Sequence, residues 1–555
     1  MNIRTTLAIL LLPALASGQI QKFKDHHANG KVRSQGIYLE GFEDSLWQYF
    51  YEDGTLKEAA NYKKGKLHGQ VMRYHPNGKL MVEGYFKNDL QDSLQKTYSA
   101  EGVMVEEGHY TKGKKTGRWN YYFPKGDTLM VEEYTEQHTL LWSLYTAPGK
   151  ACVTSGNGKA EEKFESGRIK KTSSYEGGLL HGVYGEFYSG GSVKVKGSYS
   201  HGKEDGEWTE NFPTGKLKHI ANYSSGQLHG QFAEYFTNGI VSAKGDYSGG
   251  KKEGHWVWNL ESGAVDMEGD FKSDIQHGPW IFYYGNGNKH YWGNYIEGRM
   301  NGQWNYQFYT GEKWKEGNYK DNKKDGQWTY WFENGQVMME GSFKNDLEEG
   351  EWKSYYENNN PKDIGHYTEG KMNGKWEGFY PNGIRMYTGQ WAISRTNNAN
   401  AQKWKEIYQM PDSTNTQQTG DIKTGEWNHW SDKGLKEKTE TYNNEGQLDG
   451  PSEQYNETGK LIAKGSYKNG KPHGKWEYYF PFGVMMRSCT YDEGKLNGKS
   501  VVYNEQGRVL EESNYKNNKL DGLYTSYDER TGKLKLKQEY ENGRVTKVLQ
   551  GKPGK

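Results

Sequence analysis

The chain has 555 residues, and its 72 lysines and arginines nearly balance its 71 aspartates and glutamates, which argues against the basic surface of a nucleic-acid-binding protein. Aromatic residues make up 15% of the chain, yet its mean hydropathy is only −1.07. A globular domain needs more leucine, isoleucine and valine to fill its interior, so the composition favours a thin sheet held together by aromatic side chains.

The N-terminal segment, residues 1–18, is predicted to be a signal peptide. Arg4 supplies the positive start, residues 7–15 are apolar, and residues 16–18 are the small residues of a cleavage site. The apolar stretch is too short to cross a bilayer as a helix. We therefore expect an exported chain (periplasmic, outer-surface or secreted) with no transmembrane segment after cleavage. The alternative interpretation is a buried N-terminal strand.

Along most of the chain a glycine opens a new unit at intervals of 24 residues, with Ser45 and Ser93 standing in for it at two places and Gly425 one residue out of step. A fixed period of this length is typical of an array of stacked units. The structural repeat residues are the opening glycine and the tryptophan two positions later: Gly206 and Trp208, Gly278 and Trp280, Gly302 and Trp304, Gly326 and Trp328, Gly350 and Trp352, Gly374 and Trp376, Gly474 and Trp476.

Within a unit the pattern predicts one β-hairpin. Aromatic residues two and six positions after the opening glycine, such as Trp328 and Phe332, are expected to share one face of a short strand. The Asn334-Gly335 turn that follows tolerates positive φ at both positions. A second strand carries a Gly-x-aromatic triplet at residues 341–343, and a polar loop leads to the next unit.

Stacking of these hairpins predicts the fold. A lone hairpin is marginal in water, so the units must pair edge to edge. We expect an all-β, elongated single-layer antiparallel sheet, a solenoid-like array of about 20 hairpins. The glycines beside the aromatic residues are expected to leave room for rings to lie flat across the neighbouring backbone.

The repeats fall into three blocks, 19–136, 158–391 and 425–545. Residues 137–157 are a degenerate break. Residues 392–424 are a degenerate repeat with polar insertions, where Trp404 and Tyr408 suggest a damaged unit. Bends in the array and surface loops both explain such interruptions, and loops are favoured. Residues 546–555 are a basic tail.

Aromatic residues at the fifth position after the opening glycine should face opposite to the tryptophans. An exposed aromatic surface tends to mean interaction, so this is the candidate binding face for sugars or partner chains. The alternative is that both faces simply carry aromatic ladders that hold the hairpins together. The residues are Tyr122, Phe187, Tyr235, Trp331, Tyr355, Phe379 and Tyr479.

Two other recurring positions have simpler explanations than binding. Histidine precedes the opening glycine at His68, His181, His229, His277 and His473, but repeats two units apart are too distant to share a metal, so a solvated turn is favoured. Lysine three positions before the glycine alternates with acids, which favours solubility over a polyanion stripe; these are Lys203, Lys251, Lys323, Lys371 and Lys471. No cofactor, metal or catalytic residue is predicted.

The segment Ala463–Trp476, AKGSYKNGKPHGKW, resembles the MORN repeat in its bacterial variant form. The ordinary motif has glycine where this chain has Trp304, Trp328 or Trp376, so the resemblance gives only weak support to peripheral contact with membrane lipid. It also implies a possible antitoxin role, because members of the variant family are often labelled antitoxin components of toxin–antitoxin modules.

The repetition itself points away from enzymatic activity, because each candidate acid or histidine has equivalents in neighbouring units, whereas catalysis needs one convergent pocket. We expect a non-enzymatic exported scaffold that binds a partner protein or an envelope component along its sheet. The alternatives are a cell-wall or carbohydrate-binding repeat protein and an antitoxin-like neutraliser of a partner toxin.

Overall fold

The computed structural model describes residues 20–393 and 421–551, which contain 46 strands and no helix. The strand pairings are antiparallel and join neighbours in chain order. The prediction of an all-β antiparallel array of hairpins is confirmed. The predicted signal peptide, Trp404, Tyr408 and residues 552–555 lie outside the described residues.

The described residues divide into two compact units, and the division falls within one strand. Unit 1 comprises the residues up to Glu253 with Glu261–Gly263, and unit 2 comprises Gly254–Leu260 and the residues from Ala264 onward. The strands of unit 1 are β1 (Ile20–His26), β2 (Val32–Leu39), β3 (Phe42–Phe50), β4 (Leu56–Lys63), β5 (Lys66–Tyr74), β6 (Leu80–Lys87), β7 (Leu90–Gln91), β8 (Ser93–Tyr98), β9 (Met104–Thr111), β10 (Lys114–Tyr122), β11 (Thr128–Tyr134), β12 (Thr139–Ala147), β13 (Lys150–Thr154), β14 (Asn157–Lys163), β15 (Ile169–Glu176), β16 (Leu179–Phe187), β17 (Val193–Ser200), β18 (Lys203–Glu204), β19 (Gly206–Asn211), β20 (Leu217–Ser224), β21 (Gln227–Tyr235) and β22 (Val241–Ser248).

The strand β23 (Lys251–Asn259) contains the division between the units. The remaining strands of unit 2 are β24 (Val265–Lys272), β25 (Ile275–Tyr283), β26 (Lys289–Ile296), β27 (Arg299–Gln307), β28 (Lys313–Lys320), β29 (Lys323–Trp331), β30 (Val337–Lys344), β31 (Leu347–Tyr355), β32 (Pro361–Thr368), β33 (Lys371–Phe379), β34 (Arg385–Ile393), β35 (Asp421–Trp430), β36 (Lys436–Tyr442), β37 (Leu448–Tyr455), β38 (Leu461–Lys468), β39 (Lys471–Tyr479), β40 (Met485–Asp492), β41 (Lys495–Tyr503), β42 (Val509–Lys516), β43 (Lys519–Leu520), β44 (Gly522–Tyr527), β45 (Leu534–Glu541) and β46 (Arg544–Gln550).

One repeat shows the construction of all regular units. Its first strand is β29 and its second strand is β30, and Trp328 lies opposite Gly341 across this hairpin. The opening glycine, Gly326, lies inside β29 with φ of 97°, where the register of β29 against the preceding β28 shifts. An extra residue in one strand is a β-bulge, and its positive φ is the reason that glycine opens the unit.

The two turns of the repeat differ from the predicted assignment. The turn after β29 is a three-residue loop in which only Gly335 has a positive φ, of 83°, and its N–H donates to the Phe332 carbonyl oxygen at 3.0 Å. The expected polar loop is instead the two-residue turn Asn345-Asp346, with φ of 51° and 70°. The primed hairpin therefore joins one repeat to the next, because two positive φ values match the twist of its strands.

The aromatic residue six positions after the opening glycine was expected on the strand, and that prediction was wrong. Strand β29 ends at Trp331, so Phe332 is the first residue of the turn, and Tyr330 shares the face of Trp328 instead. In other repeats this turn residue contacts the next repeat. The Tyr284 hydroxyl, for example, donates to the Gln307 carbonyl oxygen at 2.9 Å.

The two predicted interruptions lie at definite places in the array. Across residues 137–157, strand β12 is followed by β13, which has five residues, so a short extra strand interrupts the alternation of long strands. At the second interruption, β34 and β35 pair directly with each other, with Ile393 opposite Asp421. The intervening residues are therefore inserted between two neighbouring strands.

Candidate binding surfaces

One face of the sheet, here called the spine face, carries the tryptophan two positions after each opening glycine. In unit 2, Trp304 and Trp328 have no exposed surface, and Trp376 is 5% exposed. Each ring lies flat on the glycine of the preceding second strand. A Cβ built on Gly317 would lie well under 3.0 Å from the Trp328 ring. The expectation that these glycines make room for rings is confirmed.

Second-strand aromatic residues fill the gaps between the tryptophans. Tyr319 packs edge-on to Trp304 at 6.2 Å between ring centroids and to Trp328 at 5.1 Å. Phe343 then packs edge-on to Trp328 at 6.1 Å and to Trp352 at 5.0 Å. Edge-to-face contacts of this kind contribute about 0.5–1.5 kcal/mol each beyond the buried area, so the spine links neighbouring repeats.

In several repeats the tryptophan also satisfies the backbone at the bulge, whereas the buried indole N–H of Trp304 has no hydrogen-bond partner among the described residues. The Trp328 indole N–H donates to the Asn318 carbonyl oxygen at 3.1 Å, and Trp352 does the same to Ser342 at 3.1 Å. Asn318 has no partner in the β28–β29 register, because the bulge removes it from the ladder. A buried carbonyl without a donor is costly, so tryptophan suits this position better than phenylalanine.

The residue two positions before the opening glycine covers the outer side of the tryptophan ring. The ammonium of Lys115 lies 3.7 Å from the ring centroid of Trp119, and that of Lys423 lies 4.1 Å from Trp427. Burial lowers the pKa of Lys423. These covering residues were not predicted from the sequence, since the position also accepts residues such as Leu228, which share no chemical type.

Repeats without tryptophan follow a rule of size. Where a residue larger than glycine occupies the second-strand position, a smaller residue replaces the ring: Ala60 lies opposite Val71, and Cys489 lies opposite Ser500. Cys489 is 1% exposed and has a free thiol, and it is the small residue that takes the place of glycine in its repeat. The spine is therefore a series of matched pairs.

The opposite surface, here called the second face, carries the aromatic residues at the fifth position after the opening glycine. All seven predicted residues are half-buried, neither fully exposed nor part of the core: Tyr122, Phe187, Tyr235, Trp331, Tyr355, Phe379 and Tyr479. They lie at the ends of first strands, one per repeat, and the structure does not gather them into a single pocket.

Several of the second-face tyrosines are tied to glutamates. The Tyr122 hydroxyl donates to Glu107 at 2.7 Å, and the Tyr355 hydroxyl donates to Glu340 at 3.1 Å. Burial, followed by the hydrogen bond and the negative charge of Glu107, raises the pKa of Tyr122 to about 12. Each such tyrosine is therefore neutral, with a half-exposed ring beside a carboxylate.

Charges of both signs alternate around these rings. Glu477 accepts from Lys475 at 2.7 Å and from Lys464 at 3.0 Å, and these bonds lower its pKa to about 2. Exposed pairs of this kind contribute little to stability. The second face is thus aromatic in its rings and mixed in its charge, and its aromatic rings are the residue type enriched in protein-binding surfaces.

The residue before the opening glycine caps the two-residue turn of the following repeat. His181 Nδ1 accepts from the His201 N–H at 3.4 Å, and the Glu349 carboxylate accepts from the Glu369 N–H at 2.9 Å. Histidine and acids are interchangeable here because each offers an acceptor. In the described residues no group of three or more potential ligands could hold a metal ion.

Side chains in the three-residue loops form a second ladder that sequence reasoning missed. The Asn286 amide donates to the Tyr309 carbonyl oxygen of the next loop at 2.9 Å, and Asn334 donates to Glu357 at 3.3 Å. Asparagine was assigned to this turn for its tolerance of positive φ. Its amide donor is the better reason, and its recurrence beside glycine at Asn77, Asn238, Asn286, Asn334 and Asn382 was the available signal.

Within residues 20–393 and 421–551, nothing helical is long and apolar enough to cross a membrane. The open depressions in this part of the chain lie among loop residues in one case and among residues of β2 to β5 in another. One of about 400 Å³ is lined by Tyr380, Pro381, Asn382, Ser431, Asp432 and Glu437. These side chains include no buried acid–base pair.

Seven segments of the chain match the family model described as the MORN repeat variant, at residues 43–64, 67–88, 204–225, 324–345, 348–369, 448–469 and 472–493. Each match falls on one repeat, and together they occur in both units. No curated protein matches the chain.

Among solved structures, the crystal structure of TcdB2-TccC3-Cdc42 is similar at 9% identity and a TM-score of 0.13, over 95% of this chain and 33% of that one. The crystal structure of TcdB2-TccC3 is similar at 10% identity and a TM-score of 0.13, over 95% of this chain and 34% of that one. The Tc holotoxin pore of Photorhabdus luminescens is similar at 9% identity and a TM-score of 0.13, over 94% of this chain and 33% of that one. This chain thus spans about a third of the length of the structures that it matches, and TM-scores so low carry no information on function.

Proposed function

Because the chain is a MORN-repeat protein of the variant type, we propose that it is an exported, non-enzymatic scaffold whose second face binds a partner protein or an envelope component. The observation that supports this proposal is the row of half-buried aromatic rings, one per repeat, on the face that the tryptophan spine leaves free. Rings that are only half covered by their own chain retain apolar area for a partner.

The arrangement of these rings favours binding over catalysis. Trp331, Tyr355 and Phe379 follow one another at intervals of 24 residues, and each lies beside its own set of charged neighbours. A catalytic site requires unlike groups that converge on one reacting atom. A partner that runs along the sheet instead gains from many similar contacts, each of which can be weak.

The proposal is tested by co-sedimentation of the chain from Gln19 to Lys555 with the host envelope fraction, before and after protease treatment of that fraction. We expect sedimentation that protease treatment abolishes, which identifies a protein partner. Sedimentation that survives the treatment identifies a glycan or lipid component. Absence of sedimentation in both cases contradicts an envelope partner.

The binding face is tested by a triple variant, W331S/Y355S/F379S, which should lower sedimentation at least tenfold if these rings supply the contact. The matched control is Q327A/E351A/K375A, three exposed residues on the same strands and the same face. Circular dichroism melting must show that both variants fold. Equal sedimentation of both would assign binding to another surface.

A further inference from the structure

An ion pair on the spine face of unit 1 defines a position that recurs in every repeat. The Lys115 ammonium, which covers the Trp119 ring, lies 3.5 Å from the carboxylate of Glu106 and 3.1 Å from the Tyr121 hydroxyl. Glu106 stands two residues before the spine glycine of the preceding second strand, and Lys115 stands nine residues later. Because both positions face the same side of the sheet, their side chains meet above the tryptophan.

The equivalent position in unit 2 carries two lysines. Lys324 covers the Trp328 ring at 4.7 Å and its ammonium donates to the Tyr330 hydroxyl at 2.9 Å, as Lys115 does to Tyr121. Lys315, also nine residues before its partner, stands where Glu106 stands in unit 1. Neither Lys315 nor Lys324 forms an ion pair with any described residue.

Aromatic rings surround both ammonium groups. Lys315 lies 4.4 Å from the ring centroid of Tyr306, and Lys324 lies 4.5 Å from that of Phe343. Burial lowers the pKa of both lysines, and the positive charge of Lys324 lowers the pKa of Lys315 further. Asp346 and Glu348 oppose this shift at Lys324 through their negative charge, and the Asp346 carboxylate also accepts from the backbone N–H of Lys324 at 2.7 Å. Both ammonium groups are therefore half-buried, and these two carboxylates are the acids that act on Lys324.

We propose that Lys315 and Lys324 together bind the carboxylate of a small ligand, so that the ligand supplies the carboxylate that Glu106 supplies in the equivalent repeat and that Lys315 replaces here. The Tyr330 hydroxyl accepts a hydrogen bond from Lys324, so its own proton is free for a ligand oxygen. Two ammonium donors and one hydroxyl donor suit a group with two acceptor oxygens.

The neighbouring rings indicate what else the ligand carries. Tyr291 and Tyr306 lie nearly parallel, 5.7 Å apart, and Phe282 stacks on Tyr291 at 4.2 Å. Aromatic rings in a row on an open sheet suit the flat apolar side of a sugar ring. A uronic acid combines such a ring with a carboxylate, and it is the ligand class to which we assign this site. The site is on the spine face and does not depend on the proposed role of the second face.

The test is calorimetric titration of the full chain with glucuronate at constant ionic strength, with glucose and acetate as reference ligands. The variant K315E restores the ion pair seen at Glu106 and Lys115, so it should fold and should bind glucuronate at least about tenfold more weakly, through loss of a charged hydrogen bond. The control K323E changes the net charge equally at an exposed neighbouring residue and should bind as the natural chain does.

Each outcome decides the proposal. Binding of glucuronate but not of glucose, lost in K315E and kept in K323E, supports it, and weak binding of acetate shows that the carboxylate is the recognised group. No heat with glucuronate, equal binding by K315E, or equal binding of glucose overturns it. If K315E fails to fold, K315M takes its place, because Met339 occupies the same position one repeat later.

Discussion

At the scale of single residues, the molecule depends on the match between a glycine and the tryptophan 11 positions later. This spacing recurs at nine pairs, whereas Trp427 lies on Gly389 across the longer inserted segment; the nine are Gly36 and Trp47, Gly108 and Trp119, Gly197 and Trp208, Gly269 and Trp280, Gly293 and Trp304, Gly317 and Trp328, Gly341 and Trp352, Gly365 and Trp376, Gly465 and Trp476. None of these glycines has a positive φ, so the requirement is for space and not for backbone freedom.

Replacement of Gly317 by alanine should therefore destabilise the fold, because the new methyl group overlaps the Trp328 ring. Overpacking of this kind costs about 1–3 kcal/mol. Chemical denaturation with fluorescence detection measures it. The control is Gly190→Ala, at a loop glycine with a negative φ and no atom within 4 Å of the added Cβ, which should be neutral or slightly stabilising.

The double variant G317A/W328F should recover part of the loss, since Ala221 and Phe232 form such a pair naturally. Phenylalanine is smaller, so the methyl group is accommodated, although the indole N–H bond to Asn318 is lost. A double-mutant cycle measures the recovery as a coupling energy of about 0.5–3 kcal/mol. Strict additivity of the two changes would show that the methyl group and the ring do not compete for space.

The loop ladder gives a second test at this scale. Asn286→Asp removes the amide donor to the Tyr309 carbonyl oxygen and places a carboxylate against it. We expect a loss of about 0.5–1.5 kcal/mol, because the carbonyl oxygen loses one of its two amide donors, the other being Asn288, and faces a negative charge. Asn322→Asp, where the side-chain oxygen accepts from the Met300 N–H and where Asp346 stands one repeat later, should change little by comparison.

His429 makes stability depend on pH. Its burial, together with the charges of Lys438 and Lys423, lowers its pKa from 6.5 to about 4. Between these two pKa values the unfolded chain binds a proton that the folded chain excludes. The stability that depends on a neutral His429 is therefore fully present above pH 6.5 and is lost as the pH falls towards 4. His429→Tyr, which copies Tyr330, should flatten the melting temperature over this range relative to the natural chain. Parallel pH curves would contradict the assignment.

At the scale of the repeat, the hairpin is not the independent unit that the sequence period indicates. Trp328 belongs to one hairpin, whereas the glycine beneath it and the carbonyl that its indole contacts, Gly317 and Asn318, belong to the preceding one. The two-residue turn Asn345-Asp346 is likewise fixed by Asp325, one repeat earlier. The packing unit therefore extends across the boundary at which one period ends and the next begins.

Deletion of residues 302–325 should leave a folded chain, because it brings Gly293 under Trp328 and preserves the spacing of 11 residues. Deletion of residues 450–473 removes the same length but brings Glu440 under Trp476, since Glu440 occupies the glycine position opposite Trp427. We expect this second variant to melt at a lower temperature. Circular dichroism measures both, and equal melting temperatures would show that the spine match has no energetic weight.

The sequence predicts much of this element and fails at identifiable places. The period, the hairpin and the space for a ring follow from residue types that alternate strictly. The turn types do not follow from the residue types, because Asn-Gly and Asn-Asp both allow positive φ. Only the strand register shows which of the two turns needs a positive φ at both of its residues. The covering position occupied by Lys324 varies freely in type, since any long side chain shields a ring, and a position without a preferred type leaves no pattern.

The candidate binding face is predicted less well for a physical reason. Alternation along a strand correctly separates Trp331 from the spine, but it does not determine how far a ring is covered. The Tyr122 ring is half-buried because its hydroxyl reaches Glu107 on the previous strand, a contact between residues 15 positions apart. Such contacts depend on side-chain reach and not on sequence period.

At the scale of the whole molecule, each strand is stabilised mainly by the strands that precede and follow it, so stability should vary along the chain with local packing. The spine is continuous through Trp304, Trp328, Trp352 and Trp376 in unit 2. In unit 1 it is interrupted, because Val71 and Gln95 occupy tryptophan positions. A uniform melting of all repeats is therefore not expected.

Hydrogen exchange measured by mass spectrometry should show this variation. Amides in strands β27 to β33 should exchange most slowly, and those in β5 to β8 should exchange faster, because a buried ring and its indole hydrogen bond are missing there. Peptides from β21, where Phe232 replaces tryptophan, should be intermediate. Equal exchange across these strands would show that all repeats unfold together.

The fixed order of the glycine and the ring limits how the chain can be lengthened by duplication of a repeat. A regular repeat carries a glycine that the tryptophan of the following repeat covers, as Trp328 covers Gly317. A duplicated segment can therefore pack against its new neighbour only if the residue at the glycine position of the preceding repeat fits the first ring of the copy. In the pairs Ala60–Val71 and Cys489–Ser500, a residue larger than glycine lies opposite a residue smaller than tryptophan. A substitution at the glycine position of one repeat therefore limits which side chains the next repeat can carry at its tryptophan position.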